Sequence, residues 1–253
     1  MALVKPFLQW VGEKTPTLSA VHDFPKQIHN YHEPFLGDGS VLLALLSDKS
    51  ITVSGRIYAS DNNPHLIALY KNIKYHPEKL IDEVRKITDA YAKCSGSVVN
   101  QDPSTIEEAL TSQESYYFWI RSHFNLITKD AVHMTILASI QASAMLLFLN
   151  KTCVRGLYCE GPRGFNVPFG NYENVTIIDE AHICEVSALI HDVIFTCESY
   201  VNALVRVSGN PEGDFVYLAP PSGFSQEDHK ILFSIYDTIE ARKLMRSDSD
   251  VVQ

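Results

Sequence analysis

The 253-residue chain has no CxxC pair, no surplus of basic residues, no internal repeat and no low-complexity tract. Each absence excludes a class of protein. Five cysteines (Cys94, Cys153, Cys159, Cys184 and Cys197) are an odd number without paired spacing. That excludes a disulfide scaffold and favours a reducing, intracellular setting. The 10 histidines show no HExxH or similar spacing, so no metal is expected. The start, MALVKPFLQW, has neither a basic n-region nor a long apolar h-region, so secretion is not expected. In the most apolar stretch, Ala131–Leu149, the longest pure run is Ala144–Leu149, far short of the roughly 20 residues of a membrane span. Acid exceeds base, 30 Asp and Glu against 21 Lys and Arg, for a net charge of −9. Such a balance disfavours unassisted binding to phosphate backbones. With 45% hydrophobic and 20% charged residues, what remains is an ordinary globular protein of one or two domains.

An extended segment at Asn30–Phe35 runs into Gly37-Asp38-Gly39-Ser40, and Val41–Leu46 then has helical character. A second strand, Arg56–Ser60, ends at Asp61. This is the opening β-loop-α-β of a doubly wound sheet, in which ligands sit at the carboxyl ends of the strands. Asn63-Pro64 supplies a helix cap and an N1 proline. Leu66, Ile67, Tyr70 and Ile73 follow at helical spacing, as do Leu80, Val84, Ile87 and Tyr91 beyond Pro77. Lys93–Pro103 is a polar loop, and Thr105–Asn125 and Asp130–Leu149 are predicted helices. About 85 residues without a strand signal therefore interrupt the α/β pattern, as a helical insert would. After Asn150 the chain is rich in Gly and Pro through Tyr172. Strand character returns at Val193–Thr196 and at Asp214–Leu218, which ends in Ala219-Pro220-Pro221-Ser222. Ser225-x-x-Asp228 is a capping box for a last helix with Ile231, Leu232, Ile235 and Ile239 on one face.

Gly37 and Gly39 permit a tight turn and close approach of backbone to a ligand. Asp61 lies 22 residues beyond Gly39, at the end of the next strand, where a carboxylate can accept hydrogen bonds from ribose hydroxyls. The pair fits a nucleoside-type ligand, and equally a surface aspartate beside a helix cap.

Five segments in order carry a more specific signal. Lys5–Lys14 (KPFLQWVGEK) resembles the KPFLKWAGGK motif of the Dam-type DNA adenine-N6 methyltransferases. Glu33–Gly39 (EPFLGDG) resembles their EPFLGGG, and Ser60–Ile67 (SDNNPHLI) their ADxNPxLI. Phe148–Tyr172 (FLNKTCVRGLYCEGPRGFNVPFGNY) is similar to FLNKTxxNGLYRxNxxGxFNVPFGxY. Asp214–Ser222 is similar to DFVYxDPPY. The matches run from Lys5 to about Asp250. The resemblance implies an α/β fold: a Rossmann-like sheet that binds S-adenosylmethionine, with a helical DNA-recognition insert. By position, residues 1–63 and 173–253 would form the catalytic domain. Residues 64–172 would form the insert, with its Gly- and Pro-rich DNA-reading loop. Trp10, Lys14, Gly37, Gly39 and Asp61 would hold the cofactor, Trp10 as an aromatic wall and Lys14 as a cation for the methionine carboxylate. Plain core packing is the other reading of Trp10. Glu13 replaces the second family glycine, so backbone there is less able to approach a ligand. Duplex DNA would be read by Arg155, Leu157, Cys159, Pro168 and Tyr172.

The family's DPPY tetrad receives an adenine flipped out of the helix. Its Asp carboxylate and first Pro carbonyl accept hydrogen bonds from the exocyclic amine, and its Tyr stacks on the base. Here the tetrad is Ala219, Pro220, Pro221 and Ser222. A methyl accepts no hydrogen bond, a loss of about 10²–10⁴-fold in such sites. The lost stacking face removes roughly 1–3 kcal/mol more. Asp214 opens the same strand about five residues away, some 16 Å if extended, and cannot substitute. In relatives that read GATC, an Arg after GLY bonds a guanine edge. Cys159 stands there and lacks that contact of about 1–3 kcal/mol. Arg155 stands where many relatives have Asn. Only Gly223 and Phe224 separate the tetrad from the helix near Ser225, where the family has a longer loop. The family continues past the segment resembling Ser247–Val251, so the last strands of its sheet are expected to be missing.

Three expectations follow: a degenerate adenine methyltransferase with reduced S-adenosylmethionine affinity, a slow enzyme of altered specificity, or a non-catalytic scaffold on DNA or a protein partner. The wording EGPRGFNVPFG is similar to enzymes encoded by large DNA viruses of algae, so a viral source is expected too.

Overall fold

The computed structural model describes residues 3–10, 21–207, 213–221, 223 and 225–235. The chain forms two compact units. One comprises Met1–Lys5, Lys14–Ile67 and Leu189–Gln253, the other Pro6–Glu13 and Ala68–Ala188.

The first unit holds a parallel sheet of a Rossmann-like α/β fold. Its strands are β2 (Tyr31–Glu33), β4 (Ile57–Asp61), β7 (Val193–Cys197) and β8 (Phe215–Val216), in the order β7-β4-β2-β8. All are parallel: Tyr31 pairs with Ile57 and with Phe215, and Asp61 pairs with Cys197. β4 and β7 add on one side of β2 and β8 on the other, so strand order reverses between β2 and β8. Ligands of open α/β sheets bind in the crevice at that reversal, outside the carboxyl ends. The helix Ser40–Ser47 follows β2 and buries Val41, Leu42, Leu43, Ala44 and Leu45, a nearly continuous apolar run. On the sheet, Phe24, Tyr31, Phe215 and Tyr217 form an aromatic group, with Phe24 and Phe215 centroids 4.6 Å apart. A two-strand parallel pair, β1 (Gln27–Ile28) with β3 (Thr52–Val53), is too short to leave a period in the sequence.

The capping residues act as their positions predict. Asn63 Oδ1 accepts from the His65 and Leu66 amides at 3.0 and 3.1 Å, opening the helix Pro64–Tyr75. Ser225 and Asp228 exchange bonds, Asp228 N–H to Ser225 Oγ at 3.0 Å and Ser225 N–H to Asp228 Oδ2 at 3.1 Å. Residues 226–235 are helical beyond them. The segments around Ile239 and Ser247–Val251 lie outside the described residues.

The second unit is mainly helical, and no strand occurs in residues 62–159. The helix Pro77–Lys93 buries Leu80, Ile81, Val84, Ile87 and Tyr91 along one stripe and packs against Ile136–Thr152. Phe148 at the centre meets Tyr91 and Tyr116 edge-on, at 5.2 and 6.0 Å. Ile136–Thr152 is buried around most of its circumference, which accounts for its apolar sequence. Among the described residues no helix is long and apolar enough to cross a membrane. Two helix boundaries differ from the sequence reading. Thr105–Asn125 is not one helix but two, Ile106–Ala109 and Gln113–Ile127, because Ser112 accepts from the Ser115 amide and restarts the chain. The next helix begins at Ile136 rather than Asp130. Thr135 caps it, and Asp130 sits at φ −120°, ψ 70° within a short 3₁₀ segment.

Candidate functional site

Glu33, the last residue of β2, is followed by Pro34-Phe35-Leu36 and then by the glycine turn. Gly37 and Gly39 lie at φ 52° and 70°, left-handed values that an L side chain adopts at a cost. The turn is fastened to the next strand. The Leu36 amide donates to Ser60 O at 3.0 Å, and the Gly37 amide to Asp61 Oδ2 at 3.1 Å. Asp61 Oδ1 accepts from the Asn63 amide at 2.9 Å, so one carboxylate ties the turn to the start of the following helix. Asp38 Oδ1 accepts from the Ser40 amide at 2.9 Å. Burial raises the Asp61 pKa, while the amides of Asn63, Gly37 and Asn62 lower it. A carboxylate offers about four lone-pair positions. Asp61 therefore keeps spare acceptor capacity while holding the turn. The three predicted residues Gly37, Gly39 and Asp61 are thus brought together.

Beneath them Glu33 is fully buried, and its carboxyl is pushed up to about 8, mainly by burial. The Tyr31 hydroxyl donates to Glu33 Oε2 at 2.7 Å and opposes the shift, while Asp38 adds to it. Sequence reasoning left Glu33 out of the candidate site, although its place at the strand end beside the turn was visible. Glu198 was also missed. It follows β7 beside Asp61, donating its amide to Asp61 O at 3.1 Å. Its carboxylate takes the Thr196 hydroxyl at 2.6 Å and Arg206 Nη2 at 2.7 Å.

At the carboxyl end of β8, across the reversal, Ala219 and Pro221 are exposed and Pro220 is half-buried. Ser222 lies outside the described residues. Asp214, the carboxylate at the start of this strand segment, is buried and committed elsewhere. It accepts from Asn30 Nδ2 at 2.8 Å, and its Oδ2 lies 3.7 Å from His32 Nε2. Burial lowers the His32 pKa below its ordinary 6.5, and Asp214 beside it opposes that shift. The described corner therefore carries a methyl at position 219, and the Asp214 carboxyl is buried in the sheet.

Trp10 and the predicted DNA-reading residues belong to the second unit. The Trp10 ring stacks on Tyr158, centroids 5.4 Å apart at 23°. Lys14 and Glu13 lie outside the described residues. Residues 153–172, beyond the helix Ile136–Thr152, form a loop carrying a hairpin, β5 (Glu160–Gly161) with β6 (Gly164–Phe165), which the Gly- and Pro-rich composition hid. Arg155, Cys159, Pro168 and Tyr172 are exposed on this loop and Leu157 is half-buried. Arg155 adopts φ 56°, and its amide donates to the Tyr172 hydroxyl at 2.6 Å. Val154 N–H donates to Pro168 O at 3.1 Å, closing the loop's base. Among the described residues no group of three or more His, Cys, Asp or Glu could hold a metal.

The family described as D12 class N6 adenine-specific DNA methyltransferase matches residues 10–250. The type II methyltransferase M.MjaIII of Methanocaldococcus jannaschii is 32% identical, over 97% of this chain and 84% of that one. The type II methyltransferase M1.LlaDCHI of Lactococcus lactis subsp. cremoris is 24% identical, over 94% and 78%. The DNA adenine methylase of Salmonella typhi is 28% identical, over 86% and 64%.

Proposed function

The chain belongs to the D12 class N6 adenine-specific DNA methyltransferases, and within that family we propose a copy that keeps the nucleoside-binding edge of its sheet but has lost most or all methyl transfer. The family uses S-adenosylmethionine and acts on adenine in DNA. The cofactor, when bound, supplies an activated methyl group on a sulfonium. In this reading Gly37 and Gly39 let backbone approach it and Asp61 takes the ribose hydroxyls, while Trp10 offers an aromatic face and Lys14 a cation for the methionine carboxylate. Residues 64–172 serve as the DNA-recognition insert, and residues 1–63 and 173–253 as the catalytic domain. The protein works inside a cell, on duplex DNA.

Ala219 is the observation that carries the proposal. Methyl transfer to an exocyclic amine needs acceptors that hold its two N–H groups and aim the nitrogen lone pair at the methyl. The Pro220 carbonyl supplies one acceptor, and a methyl side chain supplies none. Asp214 is held by Asn30 in the sheet and does not reach the corner. Losing the tetrad carboxylate also removes a cofactor contact, so affinity for S-adenosylmethionine is reduced. Cys159 in place of the guanine-reading Arg makes strict GATC recognition weaker as well.

The test is transfer of a labelled methyl from S-adenosylmethionine to duplexes with and without GATC, beside one of the active relatives. The expected rate is at least about 10²-fold below the relative. A comparable rate on any adenine-containing duplex would end this reading. The intact turn at Gly37 and Asp61 favours a second reading, a slow enzyme working through the Pro220 carbonyl and positioning alone. Slow methylation that Asp61→Ala leaves unchanged would count against it.

A further inference from the structure

Trp10 is only half-buried, and Tyr158, the ring stacked on it, belongs to the loop that carries the DNA-reading positions. A second link runs beside the rings. The Gln9 amide donates to Asn150 Oδ1 at 3.0 Å. Asn150 Nδ2 donates back to Gln9 O at 2.6 Å and on to Gly156 O at 3.1 Å. Asn150 is 2% exposed, so its end of these bonds is sheltered from water. Gly156 lies at φ 62° with Gln9 against it, where any Cβ would run into the Gln9 side chain. Tyr158 also packs against Phe165 of the hairpin, centroids 5.6 Å apart. Phe165 is held at both backbone groups by Asn125, at 2.9 and 2.8 Å. A continuous path of ring contacts and hydrogen bonds therefore joins Trp10 to the loop bearing Arg155, Cys159, Pro168 and Tyr172.

We infer that Tyr158 is a positioning residue that couples a nucleoside stacked on Trp10 to the order of the DNA-reading loop. The inference rests on the cofactor role proposed for Trp10. A purine laid on the Trp10 ring narrows the ring's freedom, the stack passes this to Tyr158, and the Asn150 clamp keeps Gln9 from absorbing it. Reciprocity then requires that ordering the loop on DNA strengthens nucleoside binding by the same factor. This gives the chain a nucleoside-dependent DNA-reading state that needs no methyl transfer.

The test is hydrogen exchange on the full chain with and without saturating S-adenosylhomocysteine, whose binding is checked by calorimetry on the same samples. The reporting amides are Gly156, Leu157 and Asn166, which donate to Cys153 O, Val154 O and Cys159 O. In the native chain they are expected to exchange about fivefold or more slowly with the nucleoside bound. Tyr158→Phe keeps the ring and the slowing. Tyr158→Leu binds the nucleoside about 2- to 12-fold more weakly and loses the slowing. Tyr158→Met, which fills the volume without a ring face, replaces it should Tyr158→Leu not fold. Slowing that persists in the saturated ring-less variant would overturn the coupling and leave the cofactor role standing. No binding to the native chain would overturn the cofactor role and the coupling with it.

Discussion

The two sides of the strand reversal carry different loads. At the carboxyl ends of β2 and β4, Asp61 would bind a nucleoside, and it also holds the Gly37 and Asn63 amides that shape the turn. Replacing it would leave backbone donors without their acceptor and damage the fold along with the site. At the carboxyl end of β8, position 219 is exposed and its side chain fastens nothing that the fold needs. A carboxylate there can become a methyl at little cost in stability, since exposed substitutions away from special features stay within about 0.5 kcal/mol. On the proposed reading, chemistry that doubles as architecture is kept, and chemistry that stands apart from it is free to go.

Rebuilding the changed corner should produce the largest effect. Ala219→Asp with Ser222→Tyr is expected to raise labelled-methyl transfer by about 10²-fold or more, and Ala219→Asp alone by less. No gain from the pair would mean that the loss is spread beyond the tetrad. Damaging the retained corner comes next. Asp61→Ala is expected to weaken S-adenosylhomocysteine binding on the order of 10- to 100-fold by calorimetry, and to lower the melting temperature. Unchanged affinity would remove Asp61 from the nucleoside site.

Glu33 sharpens the contrast through pH. Its folded pKa of about 8 stands above the ordinary glutamate value of 4.5. Between those values the folded state holds a proton that the unfolded state has released. Stability therefore falls as pH rises from 4.5 and levels off beyond about 8. Denaturant titrations across this window are expected to show a shallower decline for Glu33→Gln, and an equal decline in both proteins would show that Glu33 does not hold the proton. The smallest effect belongs to the helix beyond the changed corner. Ser225→Ala is expected to cost about 1 kcal/mol of stability with no change in nucleoside affinity, measured by melting and calorimetry together.

Much of this was legible in the sequence, for physical reasons. The glycine turn, Asp61, the Asn63 and Ser225 caps and the strandless helical stretch are written in short-range residue chemistry. So is the change of the tetrad to Ala219 and Ser222. Less legible were features that depend on distant partners. The β1–β3 pair has two residues per strand, too few for a period. The hairpin at Glu160–Phe165 lies in a Gly- and Pro-rich stretch whose order comes from Asn125, 40 residues earlier. Glu33 becomes notable through burial and through Tyr31, neither of which its own residue type announces. The Trp10–Tyr158 stack joins segments 148 residues apart, and no local pattern could have shown it.

The central claim is that the nucleoside edge survives beside a disabled transfer corner, and calorimetric titration of the native chain with S-adenosylmethionine tests it most directly. The account predicts saturable one-site binding that Asp61→Ala weakens and Ala219→Asp strengthens. Absence of binding to the native chain would contradict it, because the nucleoside edge would then have been lost together with the tetrad.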